Sequence, residues 1–173
     1  MSSASTQVTD VINAILGTDE ESVIGQVRRQ HPENAAQLQA YYDALFSPVP
    51  ESEAAFPLAY RFLVAVRVAS HTGSESVATW YADRAREIGV TDADLYPVKD
   101  IGRPWDGNTV LDAAIRHADW LTTRPADASP EALQALKDAG LSPAGIVSLS
   151  QVIAFVSYQL RLIAGLRALG GVA

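Results

Sequence analysis

The residues best suited to chemistry fall in one stretch, Arg67 to Tyr81, which reads RVASHTGSESVATWY. His71 is a side chain whose ordinary pKa allows it to give or take a proton near neutrality. Ser74 carries a hydroxyl that becomes a nucleophile when a base is within reach. The two are three positions apart but across a chain reversal at Gly73, so contact is open. Tyr81 adds a phenol about two helix turns beyond Ser74. These three are the candidate catalytic residues. Arg67 and Arg161 interrupt otherwise apolar helices, and a guanidinium fork suits a carboxylate ligand. With Trp80 and Tyr158, which could line an apolar pocket, they form the candidate substrate-binding set.

A plainer reading competes at every position. Thr72-Gly73-Ser74-Glu75 has the form of a capping box, with Thr72 as N-cap and Glu75 at the third helical position. Ser74 or Ser76 could cap instead, while Gly73 ends the helix before. His71 would then be a histidine held by a helix C-terminal dipole. Arg61, Arg67 and Arg161 would be buried arginines in ion pairs, since burial requires a partner. Glu75, Asp83, Asp112 and Asp119 are the candidate partners. Aromatic packing accounts for Trp80, Tyr81, Trp105, Phe155 and Tyr158 equally well.

The remaining histidines add little. His117 reads as an exposed or half-buried surface histidine and His31 as a loop residue. No H-x-x-x-H or H-x-H spacing suggests a metal site. Glycine-rich phosphate loops and the G-x-S-x-G elbow are missing, so no cofactor is expected.

Eight helical segments must position these residues. Thr9 caps the first, which runs to about Gly17, and Asp19–Gln30 is the second. Pro32 opens a third through Phe46. A proline-punctuated linker, SPVPESEAAFP, precedes Leu58–Thr72, which is apolar nearly all round and therefore buried on most sides. Ser76–Ile88 ends at Gly89, in the place of a C′ glycine. TDADLYPVKDIGRPWDGN reads as loop with one turn near Asp92–Tyr96. Asn108 caps TVLDAAIRHADWLTT. Ser129-Pro130 opens a helix closed by Gly140, and Ser142-Pro143 opens a long one to about Leu169; serine followed by proline is a strong start signal. No alternating β-branched run appears. The predicted fold is all-α, a single-domain helical bundle of seven or eight helices over residues 8–173, with 1–7 as a disordered tail.

Composition sets the bounds. A chain of 173 residues, 48% hydrophobic, buries roughly 70% of its unfolded surface in one core. It contains no cysteine, which removes disulfides, thiolate metal sites and every thiol nucleophile. A net charge of −7 without a Lys/Arg cluster disfavours nucleic acid and anionic membranes. The N-terminus has no signal-peptide pattern, and Ile146–Leu169 carries too many polar residues for a typical span. A cytoplasmic location is expected. Leu58–Thr72 and Ile146–Leu169 are apolar on more faces than a small monomer covers, so a homo-oligomer is expected, a dimer, trimer or multiple, with Leu162 and Leu166 in the contact.

The segment LVAVRVASHTG, the polar join and ATWYADRA resemble the core of the alkylhydroperoxidase D / carboxymuconolactone decarboxylase family. GLSPAGIVSLSQVIAFVSYQLRLIAGL is similar to that family's following segment. The likeness is greatest to its cysteine-poor branch and covers about half the chain. The resemblance implies a bundle that oligomerises, and either a binding or assembly module, with a separate cysteine-bearing peroxidase as partner, or a cofactor-free decarboxylase-type lyase acting on a small organic ligand. A purely structural oligomer is the third reading. Where redox members carry two cysteines and a histidine, this chain has Ser74, Val77 and Tyr81. A serine hydroxyl is neither ionised near pH 7 nor oxidisable to a sulfenic acid, so thiol-based peroxide reduction is excluded.

Overall fold

The computed structural model describes residues 10–107 and 109–170. Over these the chain is all-α, with ten α-helices and one short 3₁₀ turn and no strand. The expected tail, the Thr9 cap and the Asn108 cap lie outside the described residues. The helices are α1 (Val11–Leu16), α2 (Val23–Arg28), α3 (Pro32–Phe46), α4 (Pro50–Ala55), α5 (Leu58–His71), α6 (Glu75–Glu87), α7 (Asp92–Lys99), α8 (Val110–Thr123), α9 (Pro130–Asp138) and α10 (Pro143–Gly170). Two exceed the eight expected from sequence: α4 lies inside the proline-punctuated linker, and α7 extends the single turn expected near Asp92–Tyr96 to Lys99. The second helix is also shorter than Asp19–Gln30.

Helix ends follow local chemistry. Asp10 accepts from the amides of Ile12 and Asn13 at the start of α1. Ser129 and Ser142 accept from the amides of Ala132 and Gly145, each ahead of a proline at the first helical position. Thr91 with Asp94, and Thr109 with Asp112, form full capping boxes at α7 and α8. These bonds hold the carboxyls of Asp94 and Asp112 below the usual range. Such a cap is typically worth about 1 kcal/mol.

α5 is the hub. Every residue from Arg61 to Ala69 is buried, enclosed chiefly by α6, α10, α8 and α7. This corrects the expectation that α5 leaves an apolar face for a partner; its own subunit covers it. α10 is long and apolar enough to cross a membrane by length and composition, but half of its most apolar window is buried against the bundle. Gly145 sets its entry: a Cβ there would lie 2.5 Å from the Ala55 carbonyl of α4, a distance no side chain permits.

Arg61 is 1% exposed and, among the described residues, has no carboxylate within ion-pair distance. Its guanidinium donates instead to the carbonyls of Phe56 (2.8 Å), Leu45 (2.8 Å) and Ser52 (2.6 Å), and to the Ser52 hydroxyl. The ion pair read from sequence is therefore absent at this position. The last carbonyls of a helix have no intrahelical donor, and Arg61 supplies one to the ends of α3 and α4 together. Burial pulls its pKa below the ordinary value, with Glu53 opposing. Arg61→Met should lose these donors and leave buried carbonyls unsatisfied. A loss of about 3 kcal/mol is expected by urea denaturation; a change under about 1 kcal/mol would contradict this account.

Candidate functional site

On α5, Arg67 and His71 are four residues apart and share one face. That face meets α8, and Asp119 lies between them. Asp119 Oδ1 is 2.5 Å from Arg67 Nε and 2.6 Å from His71 Nε2, while Oδ2 accepts from an Arg67 amino group at 2.8 Å. Arg67 also donates to the carbonyls of Val98 (3.2 Å) and Asp100 (2.6 Å), closing the C-terminal end of α7 as Arg61 closes α3 and α4. Arg67 is 1% exposed, whereas the His71 and Asp119 side chains retain 14% and 28%. Of the four acids weighed as partners, Asp119 is the one used.

The polar join does not form the expected capping box. Thr72 sits at the C-cap of α5 and its hydroxyl donates to the Ala69 carbonyl at 2.9 Å. Gly73 has φ 69°, the left-handed value that lets the chain reverse. Ser74 then occupies the N-cap position of α6 without a side-chain capping bond. Glu75 is the first helical residue and so is not three positions beyond its cap. A threonine already turned back onto α5 cannot also cap α6.

The other candidates disperse. Tyr81 is fully buried among Phe46 and Phe62 and its hydroxyl donates to Gln159 Oε1. Burial raises its phenol well above the ordinary value and pushes the neighbouring Tyr42 up to about 12. Tyr81 is a core residue, not a proton donor in a cleft. Trp80 is half-buried with the Arg84 guanidinium 4.8 Å from its ring centre. Tyr158 is half exposed and does not join the others. Arg161, expected in a buried pair, is exposed and donates only to the Ser157 carbonyl on its own helix.

Two of the grooves beside the join include Ser74. One, of about 400 Å³, runs between it and the C-terminal half of α10 and is lined by Ser74, Thr122, Arg161 and Arg167 among others. The second, of about 260 Å³, includes Ser70, Ser74, Glu75 and Lys99. Neither is lined by Arg67, His71 or Tyr81. Ser74 lines both of these grooves, whereas His71 is engaged by Asp119. Arg167 escaped attention in the sequence because it stands near the chain end. It stands six residues beyond Arg161, about 120° around α10 from it, and both line the same groove.

No protein-family model matches the chain, and no curated protein is significantly similar to it.

His117 is buried, 8% exposed, where a surface histidine was expected. It lies in a groove of about 350 Å³ between α8 and α9, edge-on to Trp120 with ring centres 6.4 Å apart. Burial lowers its pKa, and Arg116, Arg124 and Glu131 line the same groove. A folded value below the unfolded one, near 6.5, means that the unfolded chain takes the proton first. Stability should therefore be intact above about pH 6.5 and fall as pH drops toward the folded value. His117→Phe should reduce that fall between pH 7 and 5, measured as urea midpoints; an unchanged slope would refute it.

Asp119→Asn should strip both α5 side chains of their anion and leave Arg67 buried without a counter-charge. The expected loss is about 3 kcal/mol, against about 1 kcal/mol for His71→Ala. Equal losses in thermal melts would show that Arg67 does not depend on Asp119.

Proposed function

We propose that this protein is a non-redox helical binding and assembly module of the carboxymuconolactone decarboxylase-like kind. One observation carries the reading: Asp119 engages both Arg67 and His71, and neither groove beside the join is lined by them. A base held outside the cleft does not take a proton from a ligand within it. The cysteine-free sequence removes thiol chemistry independently. The order of a buried helix, a reversed join and an amphipathic helix, followed later by the long α10, supports the family reading.

Assembly as a homo-oligomer belongs to this proposal, with the contact moved from where the sequence placed it. Leu166 is buried within its own subunit, so it is not an interface residue. The outward side of α10 carries Val147, Ala154, Tyr158 and Leu169, and this is the surface proposed to meet a second copy.

An acid/base enzyme of the decarboxylase type has one observation in its favour. The 2.6 Å contact from Asp119 to His71 Nε2 fixes the ring as a catalytic carboxylate would. Purified protein with a dithiol reductant should consume organic hydroperoxide no faster than a heat-killed control and should release no carbon dioxide from lactone carboxylates. Light scattering at micromolar concentration should give a multiple of 18.5 kDa. Turnover that disappears in His71→Gln would replace the module by the enzyme, and a stable monomer would remove the assembly.

A further inference from the structure

The groove between the join and α10 has a chemistry that the His71 cluster lacks. Its lining contains two arginines and no acidic side chain, in a chain with 20 acidic and 13 basic residues. Arg28, Arg67, Arg84 and Arg86 each hold a carboxylate. Arg161 and Arg167 have none within ion-pair distance among the described residues. Arg161 spends one donor on the Ser157 carbonyl, and Arg167 spends one on the Ser76 hydroxyl at 2.7 Å. Their remaining N–H groups are uncommitted.

Two further features lie at the same groove. The Thr122 hydroxyl oxygen is cut off from solvent and has no hydrogen-bond partner among the described residues. Ser74, also in the lining, makes no cap bond to α6, so its hydroxyl and the first amides of that 13-residue helix are left for another acceptor. Leu160, Ile163 and Ala164 supply an apolar wall. Guanidinium forks, hydroxyls and a helix N-terminus together complement an oxyanion. An apolar wall beside them fits the body of an organic acid better than a bare inorganic ion.

We infer that this groove binds a small organic carboxylate, its charge between Arg161 and Arg167 and its apolar body against Leu160 and Ile163. The inference rests on the binding-module reading and gives it a ligand class. Glu75 and Lys99, which line the neighbouring groove, are the opposing and assisting charges on that side.

The test is an amide NMR titration of the full chain at low ionic strength, with benzoate and inorganic phosphate as separate probes. Benzoate should shift the amides of Gly73, Ser74 and Ser76 saturably, and should bind more tightly than phosphate. Added sodium chloride should weaken it. Arg161 is exposed, so Arg161→Gln should fold normally and weaken benzoate about tenfold, as expected for one charged hydrogen bond. Arg29→Gln, on a distant exposed side chain, should leave it unchanged. No saturable shift, or an equal affinity in Arg161→Gln, overturns the site. Phosphate binding more tightly than benzoate overturns the apolar-body assignment. If benzoate fails to bind while the protein remains inert toward hydroperoxide and lactone carboxylates, the groove falls and the non-catalytic reading stands. Chemical conversion of a bound acid would do the reverse.

Discussion

Two arginines inside the central helix hold the ends of its neighbours. The ten helices among the described residues, most of them short, create many termini, and each leaves backbone groups that helix geometry cannot satisfy. Arg61 collects carbonyls from the ends of α3 and α4, and Arg67 does the same for α7. A guanidinium can do this because it offers five donors in a plane. Its charge must still be met: Asp119 meets that of Arg67, whereas carbonyls and the Ser52 hydroxyl receive the donors of Arg61. α5 is therefore more than the most buried helix, because it fixes where three others stop.

This constraint also decides what the join can do. His71 stands one turn beyond Arg67 and is drawn to the same carboxylate, which commits it to the α5–α8 contact. Ser74, past the reversal at Gly73, looks toward α10 instead. Arg28, Arg61, Arg67 and Arg86 are held by carboxylates or carbonyls, whereas Arg161 and Arg167 on α10 each engage a single donor among the described residues. Position along the chain does not reveal this division. It depends on which side of a helix each residue reaches and what stands opposite.

Much of the architecture was legible in the residues. Ser129-Pro130 and Ser142-Pro143 mark true helix starts, Gly89 and Gly140 follow true ends with positive φ, and the apolarity of Leu58–Ala69, broken by Tyr60, Arg61 and Arg67, signals enclosure. α4 and α7 were hidden because proline at a helix start looks like proline in a loop, and Pro97 lies within α7. The join was misread for a related reason: Thr-x-x-Glu has the composition of a capping box, but the pattern does not say which helix the threonine serves. His117 was placed at the surface because its sequence neighbours are polar, although the helix turns it under α9. The Asp119 cluster needed tertiary contact, since Arg67 and Asp119 are 52 positions apart. One-dimensional spacing could supply the members but not the pairing.

The close approach at Gly145 gives α10 a mechanical role. At about 1.5 Å per residue, the 22 residues from Gly145 to Arg167 span about 33 Å of continuous helix. One end is wedged against α4 with no room for a side chain, and the other is tied to Ser76 at the start of α6. A rod held at both ends carries the wall formed by Leu160 and Ile163 between its two fixed points. The side chain that Gly145 lacks is therefore part of what sets where that wall stands.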